Sequence, residues 1–286
     1  MIPVNEPLLD GREKELLCEC IDSGWISSDG PFVNQFEKQF ADYIGVDYGI
    51  AVSNGTSALE TALFAAGIKK GDAVVMPTFT IISCAIAALR LGARPILVDI
   101  EPQTWCMDVQ HLQSVVENEM ANKNSTLKAI MPVHIYGHPV DMDPVLRIAQ
   151  HFDLKVVEDA AQVHGAEYFC KSEGTEPLKE IGKWKKCGSI GNIAAFSFYA
   201  NKIVTTGEGG MVVTSDQVMA NRARSYRNLC FKPEKRFFHT EIGYNFRMTN
   251  LQAAVGLAQL ERIEKFIEKK RQIGRYYRDR LDHIKG

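Results

Sequence analysis

The chain has 286 residues, is 45% hydrophobic and carries a formal net charge of -2, enough apolar material to bury a full α/β core. That balance offers no basic surface for nucleic acid or for an anionic membrane. The seven cysteines, at 18, 20, 84, 106, 170, 187 and 230, are odd in number and scattered. Cys18-Glu19-Cys20 is too tight for a zinc knuckle and no second pair follows at metal spacing, so no metal is expected and the thiols read as reduced, in a cytoplasmic protein. The opening Met1-Ile2-Pro3-Val4-Asn5-Glu6-Pro7 lacks the basic and apolar regions of a signal peptide, and no apolar run reaches the length of a membrane span.

After this polar lead, residues 11–23 and 33–44 carry apolar side chains at helical spacing. Short apolar runs then mark strands at 49–52, 73–76, 95–98, 128–133, 155–157, 193–198 and 210–213. Helical patterns at 56–66, 83–91, 109–117 and 144–151 fall between the first five. The alternation predicts a largely parallel sheet of seven strands covered by helices on both faces. Residues 169–191 are turn-rich and basic (Lys171, Lys179, Lys183, Lys185, Lys186) and read as a surface excursion. Residues 249–284 read as one long charged helix, of the kind that joins two packed bodies.

Three segments carry chemistry. In Val52-Ser53-Asn54-Gly55-Thr56-Ser57-Ala58-Leu59 a strand ends, glycine turns the chain and hydroxyl residues open a helix. Free N–H groups and the helix dipole converge there, which suits a phosphate as well as it suits an ordinary Ser/Thr cap. In Lys155-Val156-Val157-Glu158-Asp159-Ala160-Ala161-Gln162 a carboxylate stands at the strand end where open α/β sheets bind ligands. Asp159 there either holds a protonated ring nitrogen or caps a helix, and Gln162 is near enough to donate to a ring oxygen. In Ser197-Phe198-Tyr199-Ala200-Asn201-Lys202, before the turn Gly207-Glu208-Gly209-Gly210, Ser197 closes a strand and offers a hydroxyl to the phosphate. Lys202, taken alone, is either a solvated loop residue or a Schiff-base lysine. Cradle, carboxylate and lysine, in this order on one α/β sheet, meet the requirements of pyridoxal phosphate.

These motifs, with Gly243-Tyr244-Asn245-Phe246-Arg247-Met248, resemble those of the DegT/DnrJ/EryC1/StrS nucleotide-sugar aminotransferases, a group of fold-type I pyridoxal-phosphate enzymes. Ile2-Pro3 and Glu6-Pro7, with Ser23-Gly24-Trp25-Ile26-Ser27-Ser28 and Gly30, are especially similar to GDP-perosamine synthases and related 4-aminotransferases. The resemblance covers nearly the whole chain. It implies that Lys202 carries the cofactor as a Schiff base and shuttles a proton, that Asp159 keeps the pyridine nitrogen protonated, and that Gln162 contacts the ring hydroxyl. Phe79, in Pro77-Thr78-Phe79-Thr80, is implied to stack on the ring, and Gly55, Thr56, Ser57 and Ser197 to hold the phosphate. Asn245 is implied to reach the phosphate of a neighbouring subunit, which makes a homodimer with shared sites. The implied substrates are glutamate, which converts the cofactor to its pyridoxamine form, and a nucleotide-linked 4-keto-6-deoxysugar; amination at C3 stays open.

Two departures from the family pattern stand out. Residues 1–248 read as the cofactor-binding large domain and 249–286 as a helix leading to a small domain that is missing or truncated, which leaves open a non-catalytic protein that keeps the pocket. The link between Gly165 and Gly191, short in the family, is long and basic here and leaves contact with a nucleotide open. The related sugar dehydratases carry histidine where Lys202 stands. His134 and His138 lie in a strand running into a turn, where their spacing does not put them on one face, so a structural role or a sugar contact is expected rather than zinc. His164 reads equally as a neighbour of the cofactor or as filling at the strand-to-loop junction.

Overall fold

The computed structural model describes residues 5–171, 182–232, 234, 235 and 237–284. Strands β1 (Tyr48–Val52), β2 (Ala73–Pro77), β3 (Arg94–Val98), β4 (Leu127–Ile130) and β5 (Lys155–Asp159) are followed by a hairpin, β6 (Glu167–Phe169) and β7 (Trp184–Lys186), and then by β8 (Ile193–Ser197) and β9 (Gly210–Thr214). All but the hairpin form one sheet in the order β1-β9-β8-β5-β4-β2-β3. Strand β9 runs antiparallel to both its neighbours, β1 and β8, while β8, β5, β4, β2 and β3 are mutually parallel. The inserted antiparallel strand therefore leaves β1 pointing the same way as β5 and β8. The chain leaves all three at one edge of the sheet, where open α/β folds bind ligands.

The helices are α1 (Glu13–Ser23), α2 (Pro31–Ile44), α3 (Gly55–Ala65), α4 (Ser83–Arg90), α5 (Val109–Ala121), α6 (Met142–His151), α7 (Gln217–Arg227), α8 (Asn250–Leu260) and α9 (Ile263–Leu281). Helix α3 packs on β8 and β9 and against α4 and α7; α2 packs on β1 and α8, and α8 on α1. Alternation along β8 sends Phe196 toward the α2 face, where it joins Phe36, Phe40 and Phe198 in one fully buried cluster, and sends Ser197 toward α3. Among the described residues no helix is long and apolar enough to cross a membrane.

Several expectations are corrected. The helical run over 249–284 is broken between α8 and α9, where Arg262 leaves helical geometry (φ -120°, ψ 9°) and ties Asp10 and Glu13 to the junction. Helix α8 is mostly buried against α1 and α2. Strand β4 stops at Ile130, because Pro132 has no N–H to continue a ladder; beyond it Val133 makes only an isolated bridge with Asp159. His134 leads into a short 3-10 turn, Ile135–Gly137, rather than prolonging a strand. The basic excursion is framed by the β6–β7 hairpin, with Lys185 and Lys186 on β7; residues 172–181, Lys179 among them, lie outside the described residues. Helix α7 had no expectation. Its polar, arginine-rich sequence gives no clear apolar stripe, and its start is fixed by Asp216, which accepts the N–H groups of Val218 and Met219.

Glu158 anchors the body behind β5. It is fully buried and accepts hydrogen bonds from His134 Nε2 (2.9 Å) and from the N–H groups of Gly188, Ile190 and Gly191. His134 Nδ1 accepts the Val140 N–H, so the network assigns the ring proton to Nε2. Burial pushes the Glu158 carboxyl up, but the His134 and backbone hydrogen bonds outweigh it and hold the group below its ordinary value. A depressed carboxylate contributes stability above its unfolded-state value and loses it as pH falls through the folded one. Glu158→Ala should cost about 3–5 kcal/mol in urea unfolding, since it orphans four buried donors. Glu158→Gln should flatten the acid limb of stability against pH. A Glu158→Ala loss below about 1 kcal/mol would show that the loop of 188–191 does not depend on this carboxylate.

Candidate active site

At the edge where β1, β5 and β8 end, a cleft of about 560 Å³ opens, within the ordinary range of small-molecule sites. Its wall includes Gly55, Thr56, Ser57, Asp159, Gln162, Ser197 and Lys202, so seven of the nine residues singled out in the sequence come together. The other two lie elsewhere. Phe79 is half-exposed and packs with Trp105 and Tyr136 at ring separations of 5.5 and 6.2 Å, beside the cleft residues Thr80 and Ile81. Asn245 is exposed, outside its own chain's cleft, in an isolated bridge with Asn228.

The phosphate-like corner is built by helix α3. Asn54 is extended (φ -168°) and caps the helix: its side chain accepts the Ser57 N–H at 2.8 Å, and Ser57 Oγ accepts the Asn54 N–H at 3.1 Å. This box occupies the Ser57 hydroxyl and leaves the N–H groups of Gly55 and Thr56, the first of the helix, with no intrahelical acceptor. Thr56 Oγ1 meets Ser83 Oγ at 2.9 Å, which ties α3 to the start of α4. Gly55 is required by close approach: a Cβ there would stand 2.8 Å from Ser197 Cβ and 3.0 Å from its Oγ. Gly210 serves the neighbouring strand in the same way, since a Cβ would fall 2.5 Å from the Asn54 carbonyl oxygen.

Asp159 closes β5 with 2% exposure. Successive strand residues face opposite ways, so Glu158 turns to the His134 side and Asp159 toward α4. Its Oδ1 accepts the Ala161 N–H at 3.0 Å and its Oδ2 accepts the Cys84 thiol at 3.0 Å. Among the described residues no cation lies at ion-pair distance from it. A buried carboxylate left in this condition suits a ligand that brings positive charge. Gln162 accepts the Tyr136 N–H through Oε1 (2.8 Å), which leaves its amide N–H₂ as the group facing the cleft.

Lys202 is half-buried, and among the described residues its Nζ has no hydrogen bond or ion pair. Burial holds its pKa below the ordinary lysine value, and the negative charge of Asp159 opposes this without cancelling it. An amine so displaced is neutral in a larger fraction, which nucleophilic chemistry requires. His164, open between two readings in the sequence, sits behind the cleft rather than on its wall. It is caged by Phe40, Phe196 and Phe198, its Nε2 has no partner, and burial and the charge of Lys202 push its pKa down to about 3. It is neutral filling. His138 is exposed and does not join His134.

Sequence reasoning missed Cys84, Thr80 and the group around Glu60. Glu60, 1% exposed, pairs with Arg90 Nε at 2.7 Å and accepts the Tyr226 hydroxyl at 2.7 Å, and both Glu60 and Arg90 border the cleft. Cys84 and the Glu60 group had no signal, because their pairings with Asp159, Arg90 and Tyr226 join segments distant in the chain; Thr80 meets Cys84 from four residues away.

Fold and site together are those of the α/β class that holds pyridoxal phosphate at the ends of parallel strands. More narrowly, the chain belongs to the DegT/DnrJ/EryC1/StrS aminotransferase family, whose model matches residues 7–286. Enzymes of this family depend on pyridoxal phosphate. The chain is 44% identical over 283 residues to a GDP-perosamine synthase of Caulobacter vibrioides, covering 99% of this chain and 71% of that protein. A GDP-perosamine synthase of Escherichia coli O157:H7 is also 44% identical, over 99% of this chain and 72% of its own length. Among solved structures, a DegT DnrJ EryC1 StrS aminotransferase from Brucella abortus superposes with a TM-score of 0.86 at 31% identity, covering 96% of this chain and 69% of that one.

The residues present fit the cofactor: an unpaired buried carboxylate, a helix start with free N–H groups kept open by Gly55, and a lysine between them. Because Asp159 alone raises the Lys202 pKa, removing its charge has a defined sign. Asp159→Asn should drop the Lys202 pKa further in cofactor-free protein, so that an amine-acylating reagent at mildly alkaline pH labels Lys202 faster than in wild type, scored by peptide mass. Equal or slower labelling would show that the two side chains do not share a field.

Proposed function

We propose that the chain moves an amino group from glutamate to the ketone of a nucleotide-linked 4-keto-6-deoxysugar, for the synthesis of an amino-sugar polysaccharide. The observation that carries this is the half-buried lysine in one cleft with a buried carboxylate that no cation neutralises among the described residues. The substrate class is supported by the relatives called GDP-perosamine synthase, and the 4-position by the Gly24-Trp25-Ile26-Ser27-Ser28 segment. Free thiols throughout suit an enzyme of the cytosol.

When bound, pyridoxal phosphate supplies a conjugated ring that draws electrons from the carbon losing its proton. The protein's part is binding, orientation and proton handling. Gly55 and Thr56 N–H groups, with the Thr56 and Ser197 hydroxyls, would receive the phosphate at the positive end of α3. Asp159 would hold the ring nitrogen by a charge-assisted hydrogen bond, and Gln162 would donate its amide to the ring oxygen. Phe79, beside the cleft residues Thr80 and Ile81, would stack on the ring. Lys202 would hold the cofactor through Nζ and, when its amine is free, would take and return a proton at Nζ. Its being lysine rather than histidine favours amino transfer over dehydration.

We read the assembly as a homodimer in which Asn245 of each chain faces its neighbour's phosphate. Asn245 is exposed and off its own cleft, and Ile81, Ile82 and Leu89 form an uncovered apolar face around α4. Mixing inactive Lys202→Ala chains with inactive Asn245→Ala chains should restore about a quarter of wild-type activity, because half the dimers are hybrid and each carries one intact site. No recovery on mixing would remove the shared site.

The activity itself is tested by adding pyridoxal phosphate, which should give a visible absorption band that borohydride fixes to Lys202. Glutamate should bleach the unreduced band in a single turnover, and a GDP- or dTDP-4-keto-6-deoxyhexose should restore it, with the 4-amino sugar found by mass spectrometry. A band that glutamate leaves unchanged identifies a binding protein, and protein that stays colourless sinks the assignment.

A further inference from the structure

Cys84 lies at the start of α4, 75 residues from Asp159 in sequence, fully buried, and no step above uses it. Its Sγ stands 3.0 Å from Asp159 Oδ2 and 3.2 Å from Thr80 Oγ1. A thiol has one proton, and the carboxylate is the stronger acceptor, so the S–H goes to Oδ2 and the Thr80 hydroxyl donates to sulfur. Oδ1 is held from the other side by the Ala161 N–H at 3.0 Å. Each carboxylate oxygen thus has one donor from the protein, supplied from a different element, and the plane of the group is fixed before any ligand arrives.

We propose that Cys84 is a positioning residue for the Asp159 carboxylate, its thiol holding Oδ2 so that the group's remaining lone pairs face the cleft for a cationic heterocycle. This rests on the assignment of Asp159 as the ring-nitrogen partner and adds the means by which that carboxylate is aimed. The thiol suits the task. Burial, and the adjacent Asp159 charge, push its pKa well above the ordinary thiol value, so it stays a donor. Preorganisation of this kind acts on ligand affinity, because a carboxylate free to rotate must be ordered on binding.

The test compares Cys84→Ala, Cys84→Val and Cys84→Ser in full-length protein. Alanine and valine bracket the cysteine in volume and cannot donate; serine donates. Circular dichroism and thermal unfolding of the cofactor-free proteins report packing, and pyridoxal phosphate affinity, read by quenching of intrinsic fluorescence, reports the site. Affinity should fall about tenfold in both the alanine and valine variants and stay near wild type in the serine variant, whatever the order of their thermal stabilities. Affinity that follows stability or side-chain volume, with serine no better than alanine, would overturn the proposal and leave Cys84 as core filling. Asp159→Asn is the control. If it weakens binding while alanine and valine at 84 do not, the positioning role fails alone; if it leaves binding unchanged, the assignment of Asp159 fails and takes this inference with it.

Discussion

A buried carboxylate with no cation beside it is costly in any protein interior, and the open edge of this sheet is arranged around one that has none among the described residues. Removing a charge from water costs several kcal/mol unless hydrogen bonds or an opposite charge replace the lost solvent. Asp159 receives only two donors, one backbone and one thiol, and its nearest cationic influence, Lys202, acts through its field rather than by contact. The next residue back shows what full compensation looks like. Glu158 takes His134 and three backbone N–H groups, and nothing is left for a ligand. Two neighbouring carboxylates, separated only by the alternation of a strand, therefore divide the work: one closes the structure and the other is held open.

That division sits where three strands end together. Strand β9 runs against both β1 and β8, so β1 points the same way as β8 and its glycine turn lies at the same edge as the ends of β5 and β8. With β9 inserted as observed, the α3 cradle, the end of β5 and the end of β8 meet, and the contacts are tight enough that Gly55 and Gly210 admit no side chain. The glycines are thus consequences of topology: they mark where three strand ends are pressed together around a space that must stay empty of protein.

Much of this was legible in the sequence, and the reasons differ by element. All seven strands of the sheet were found because each reads as a short apolar run between turns, even β3, which is buried only at Val98, and the cradle and Asp159 were found because each ends such a run. The break between α8 and α9 was not legible, since Glu261 and Arg262 are good helix formers and the interruption comes from Arg262 reaching Asp10 and Glu13. Helix α7 was missed for want of an apolar stripe. Cys84 was illegible for a deeper reason. A cysteine in an apolar run carries no local mark of a partner 75 residues away, and only the seating of α4 against α3, β2 and β3 brings its sulfur to the carboxylate. Sequence signals report what a residue does for its own segment; contacts between segments have to be seen.

Lys202 shows how far such contacts extend. The loop that carries it is tied to the polar lead of the chain, where Asn5 donates to the Asn201 carbonyl at 3.0 Å and accepts from Lys270 on α9 at 3.0 Å. Gln259 on α8 holds the same lead through the Leu8 carbonyl. Lys202 consequently lies between two spaces, the cleft on one side and a second cavity bordered by residues 5–8 and α9 on the other. Burial lowers its pKa and the negative charge of Asp159 opposes that shift. The loop that bears Lys202 is thus tied to the polar lead and, through Asn5, to α9.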